Sequence, residues 1–90
     1  MVVVSGFSFD DAHINGERMH KVTRTDAERF ISEANVSIKK WNGRFVNYYS
    51  REGAVFVDVQ NKNIQTAFRR NEYDERVRKM MEVLEKNEKS

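Results

Sequence analysis

Two histidines, His13 and His20, stand seven residues apart near the start of the chain. Imidazole, with an ordinary pKa of ~6.5, can take or give a proton at neutral pH. One continuous helix would place both on the same face. Gly16 lies between them and weakens such a helix. Three cations, Arg18, Lys21 and Arg24, surround the pair, and Arg69-Arg70 follow a stretch that contains Thr66. Imidazoles, a hydroxyl and cations are the set that metal-independent RNA cleavage requires. A base takes the proton of the 2′-OH, an acid protonates the leaving 5′-oxygen, and cations stabilise the charge that grows on phosphorus. Without cysteine, two histidines make a weak zinc case. The spacing of Asp10, Asp11, His13 and Glu17 matches no metal motif, so no cofactor is expected. Neither a P-loop nor a G-x-S-x-G motif occurs.

A second group lies between Ala34 and Arg51. It holds Lys39, Lys40, Arg44 and Arg51 with no acidic residue, and Trp41, Phe45, Tyr48 and Tyr49 are interleaved. Cations follow phosphates and exposed aromatic rings stack on unpaired bases, so this mixture suits single-stranded RNA. Each feature also has an ordinary explanation. The aromatic residues can be core with the lysines solvating a loop, the histidines can be surface residues, and Thr66 can reflect strand propensity. Arg69 and Arg70 can simply end an edge strand.

The elements that must position these groups follow from periodicity. Residues 1–9 are β-prone and read as an arm or short strand. Asp10-Asp11 offers a cap for a short helix over Ala12, His13 and Ile14. Thr25-Asp26-Ala27-Glu28 reads as a capping box, followed by Ala27, Phe30, Ile31 and Ala34 in one apolar stripe. Three strands are expected over 45–50, 54–59 and 64–69, with turns at Arg51-Glu52-Gly53 and Asn61-Lys62-Asn63. Ile64, Thr66 and Phe68 should share a face by alternation. A final helix over 72–86 carries Tyr73, Val77, Met80 and Leu84 in a stripe, with its charges cancelling, and 86–90 should fray. The expected architecture is α+β: N-terminal helices on a small antiparallel meander, with a C-terminal amphipathic helix.

At 90 residues the chain suits one domain, 1–90. Its 39% hydrophobic and 33% charged residues are those of a globular chain. No apolar run approaches the ~20 residues of a membrane span. Sixteen basic residues face fourteen acidic ones, a net charge of +2, so any preference for nucleic acid depends on where the charges sit.

The ordered set His13-x₄-Arg18-Met19, Val22-Thr23-Arg24-x-Asp26-Ala27, Gly53-Ala54-Val55-Phe56-Val57-Asp58 and Ile64-Gln65-Thr66-Ala67-Phe68, with Tyr73-Asp74 after it, resembles small toxin domains. These belong to the barnase, EndoU, colicin and RelE-like ribonuclease superfamily, and include the ends of contact-dependent and polymorphic toxins and phage-encoded relatives. The resemblance covers roughly residues 10–84. It implies a metal-independent endoribonuclease, with tRNA as the expected substrate and 2′,3′-cyclic phosphate and 5′-OH ends as products. It matches His13 to the family's helix histidine and Thr66 to its last-strand threonine. His20 and Arg18 would complete the catalytic set. Lys21, Arg24, Lys39, Lys40, Trp41, Arg44, Tyr49, Arg69 and Arg70 would hold RNA. Phe68 stands where some members carry a tyrosine, so that phenolic donor is absent. The resemblance further implies action in the cytoplasm of a target cell, delivery as the end of a secreted or phage-associated protein, and a cognate immunity protein. The alternative is a non-catalytic RNA-binding or protein-interaction module of the same fold.

Overall fold

The computed structural model describes residues 6–17 and 21–88. Strand β1 (Ser8–Phe9) comes first and is followed by a π-helical turn (Ala12–Glu17) and helix α1 (Arg24–Ser32). Four strands come next: β2 (Val36–Lys40), β3 (Phe45–Tyr49), β4 (Gly53–Asp58) and β5 (Asn63–Arg69). A short 3₁₀ turn (Arg70–Glu72) leads into helix α2 (Glu75–Glu88).

These strands form one five-stranded sheet in the order β1-β5-β4-β3-β2. The β2 to β5 pairings are antiparallel, whereas β1 pairs parallel to β5 through Ser8↔Asn63 and Phe9↔Ile64. This corrects the expected architecture. A strand precedes the helices, and the sheet is mixed rather than a plain antiparallel meander. The physical reason lies at both edges. Two residues of the N-terminal arm add in parallel to β5, and residues 36–40, for which no element was expected, form β2 against β3.

The two helices lie on opposite faces of the sheet. Ala27, Phe30 and Ile31 of α1, with Ile14 and Val22, pack on Val46, Tyr48, Val55, Val57, Ile64 and Ala67. Tyr73, Val77, Met80, Met81 and Leu84 pack on Tyr49, Ala54, Phe56 and Phe68 from the other side. Four rings, Tyr49, Phe56, Phe68 and Tyr73, meet edge to face there at centroid distances of 5.3–6.0 Å, a geometry their quadrupoles favour.

Register differs from simple alternation at one place. Phe56 pairs with Thr66 but Val57 pairs with Ile64, so Gln65 is an extra residue in β5. A bulge of this kind lets two neighbouring residues oppose one. Ile64 therefore joins the α1 face, whereas Phe68 joins the α2 face. Thr66, two residues from Phe68 and opposite Phe56, shares the α2 face.

Candidate nucleic-acid interface

Three segments converge on β5. The turn Ala12–Glu17 packs against this strand, with Ile14 wholly buried beneath it. Asn15 ties the turn to Val22, just ahead of α1. Its amide donates to the Val22 carbonyl at 2.7 Å and accepts from the Val22 N–H at 2.7 Å. Arg69, at the end of β5, donates to the Lys21 carbonyl and to Asp26 Oδ2, each at 3.1 Å. The elements that carry His13, Lys21 and Arg24 thus gather on the α1 side of β5, whereas Thr66 is on the other side of that strand. His20 and Arg18 lie outside the described residues, and the description of His13 extends to its backbone only.

Several cations are already engaged with protein groups. Asp26 bridges Arg69 at 3.1 Å and Arg29 at 3.2 Å, and Arg29 reaches Glu52 at 2.7 Å. Hydrogen bonds from Thr23 outweigh burial and hold the Asp26 carboxyl below its usual range, with the two arginines contributing. Arg70 donates to Glu85 at 2.5 Å and to the Arg51 carbonyl at 3.2 Å, which fastens α2 to the β3–β4 turn. Arg24 pairs with Glu28 at 3.3 Å. Arg44 lies 3.9 Å from Asp58 and over the Phe45 ring at 4.9 Å. Lys39 and Lys40 are exposed on β2 and make no ion pair among the described residues.

Tyr49 differs from its expected role as an RNA contact. It is buried between the sheet and α2, where burial raises its pKa. Its ring packs on Phe56 and Tyr73, so it is not presented to solvent. Tyr48 faces the other way, into the α1 core.

Trp41 has the opposite placement. It is 79% exposed at the tip of the β2–β3 hairpin. Trp41 and Asn42 both have left-handed backbones, with φ of 54° and 56°, and the Gly43 N–H closes the turn on the Lys40 carbonyl at 3.2 Å. Asparagine tolerates this region, but a bulky side chain there costs roughly 1–2 kcal/mol. No burial of the indole offsets that cost.

Helix α2 covers only the half of its sheet face that carries Tyr49, Ala54 and Phe68. The other half is open. There Lys40, Trp41, Phe45, Asn47, Phe56 and Gln65 line a cavity of ≈ 210 Å³. Asn47, Phe56 and Gln65 are not among the residues that the sequence marks for a site. The signal available for Asn47 is one amide in the otherwise apolar run Phe45-Val46-Asn47-Tyr48-Tyr49. Gln65 gives no such signal, because its position depends on the bulge.

The open half forms a lane across the strands, from Trp41 beside β2 to Gln65 and Thr66 on β5. Three inter-strand spacings make it roughly 14 Å long. Lys40 stands at its β2 end, and stacking surfaces and amides lie along it, while the turn bearing His13 packs on the strand at its far end from the other, α1 face. No helix among the described residues is long and apolar enough to cross a membrane. No family model, curated protein or solved structure matches the chain.

Proposed function

We propose that this protein is a metal-independent endoribonuclease that draws single-stranded RNA across the open half of the sheet. The observation that carries the reading is the placement of Thr66. It sits on the lane's side of β5, and the turn bearing His13 packs on the same strand from the α1 side, so the RNA has to pass around the edge of β5 that β1 leaves uncovered after Ile64 to meet both. In this mechanism an imidazole of the His13/His20 pair removes the 2′-OH proton. The oxygen attacks phosphorus, and the other imidazole protonates the leaving 5′-oxygen. Thr66 hydrogen-bonds the scissile phosphate or orients the imidazole. Arg18, Lys21 and Arg24 supply the positive charge the phosphorane needs. Lys40 and Arg44 track the incoming backbone, Lys39 being on the other face opposite Val46, and Trp41 and Phe45 stack on bases. By its resemblance to small toxin domains, tRNA is the proposed substrate and an acidic immunity protein the proposed partner, acting in a target cell's cytoplasm.

The test is cleavage of total RNA by the purified chain, read on denaturing gels. Discrete fragments from the wild type, and a loss of at least about a hundredfold in His13→Ala/His20→Ala, are expected, since general acid–base groups contribute about 10²–10⁴-fold. Full activity in the double variant removes the imidazole mechanism.

One observation favours a second reading, an RNA-binding module without catalysis. The Arg69 and Arg70 side chains are held by Asp26 and Glu85, so two of the expected cations serve the fold. Salt-dependent binding of intact RNA by a chain that never cleaves it supports this reading.

A further inference from the structure

We propose that the cavity between Trp41 and Gln65 is the subsite for one unpaired base, adenine before the other three, stacked on Trp41 and read along its edge by the Gln65 amide. This rests on the RNA-binding part of the reading above and adds base recognition to it.

The cavity's size comes first. At ≈ 210 Å³ it falls below the roughly 300–1,000 Å³ of pockets for drug-sized ligands, which suits a single ring system. Its walls are aromatic: Trp41, Phe45 and Phe56. Its polar groups are few and differ in freedom. Asn47 is 5% exposed and shares its face of β3 with buried Tyr49, so burial holds this amide in place. Gln65 is exposed on the bulge and makes no side-chain hydrogen bond among the described residues. Its amide offers an acceptor and two donors in one plane.

That donor–acceptor pair selects among bases. A glutamine amide meets adenine's N6–H₂ donor and N7 acceptor at once, whereas guanine's O6 and N7 are both acceptors and call for a cation. The exposed indole provides the stacking surface, which any base can use, so stacking supplies affinity and the amide supplies choice. The left-handed Trp41 backbone gives the same indication: the hairpin keeps the indole at the cavity mouth at a conformational cost that no core contact repays.

Trp41 is the only tryptophan in the chain, so its fluorescence reports occupancy directly. The experiment titrates the full chain with 2′-O-methyl hexanucleotides of A, C or U, which lack the attacking hydroxyl and stay intact. Quenching by all three is expected, with the A oligomer binding about tenfold more tightly. Gln65→Leu should keep the quenching and bring the three affinities within about twofold. Gln65→Glu, which replaces donors with a second acceptor, should weaken A binding selectively. Circular dichroism confirms that each variant is folded. Equal wild-type affinities, or a preference for A that survives in Gln65→Leu, overturn the base subsite and leave RNA binding standing. No quenching by any oligomer at low salt overturns both.

Discussion

Tyr73 shows how one side chain joins helix α2 to the sheet. Its ring sits among Tyr49 and Phe68, and its hydroxyl donates to the Ser50 carbonyl at 2.8 Å. Burial pushes its pKa up to about 12, against the Ser50 hydrogen bond and Arg70, which lower it. A phenol raised from its ordinary 10 to about 12 keeps its proton in the folded chain where the unfolded chain has lost it. The stabilisation is complete below pH 10 and is lost as pH rises toward 12. Denaturant midpoints should therefore fall across that window, and Tyr73→Phe should flatten the fall. At pH 7 the same substitution should cost about 1–2 kcal/mol, because the buried carbonyl loses its donor. Gly53 matters instead through the close approach of α1 to β4. A Cβ there would run into the Phe30 ring and lie 2.6 Å from the Phe68 carbonyl oxygen. Gly53→Ala should destabilise by roughly 1–3 kcal/mol, as overpacking does, measured by urea unfolding.

At the scale of elements, helix α1 tests how far local pattern reaches. Thr23 and Thr25 each precede an acidic residue by three positions, so both fit a capping box. The structure uses Thr23. Its hydroxyl accepts from the Asp26 N–H at 3.1 Å, and Asp26 accepts from the Thr23 N–H at 3.1 Å. The choice follows from Arg69, which holds Asp26 from a strand distant in the chain, a contact that no local window contains. Thr23→Ala should cost about 1 kcal/mol, and Thr25→Ala much less, when thermal melts are compared. The α1 stripe was legible because that helix buries one face with a 3.6-residue period; the α2 stripe was legible at Val77, Met80 and Leu84 but took in Tyr73, which precedes the helix, and left out wholly buried Met81. The β2 strand was not legible, because Val36-Ser37-Ile38-Lys39-Lys40 is largely exposed and its alternation rests on only two apolar residues, Val36 and Ile38. The Gln65 bulge was not legible either, since its register is decided by the partner strand β4. Acid should also loosen the start of α1. The Asp26 pKa is lowered, so its stabilisation is present above pH ~4 and lost as pH falls through the folded value.

For the whole molecule, three layers account for the division of labour. The α1 layer and the turn beside it bring residues 12–17 and 21–26 to β5. The α2 layer closes half of the opposite face and leaves the other half open. Little of this could be read from order along the chain, because nothing local says on which face a helix lands. The chemistry-bearing residue types were legible, since cations without anions and a solitary tryptophan show in the sequence itself. Their sorting was not: Tyr49 went to the core and Trp41 to solvent, a matter of hairpin geometry. The proposed mechanism stands on RNA cleavage that proceeds through 2′-OH attack. The most direct measurement is end-group analysis of total RNA incubated with the purified chain in excess EDTA. The mechanism predicts fragments ending in 2′,3′-cyclic phosphate and beginning with 5′-OH, at an undiminished rate. Cleavage that EDTA abolishes, or fragments that begin with 5′-phosphate, contradicts it.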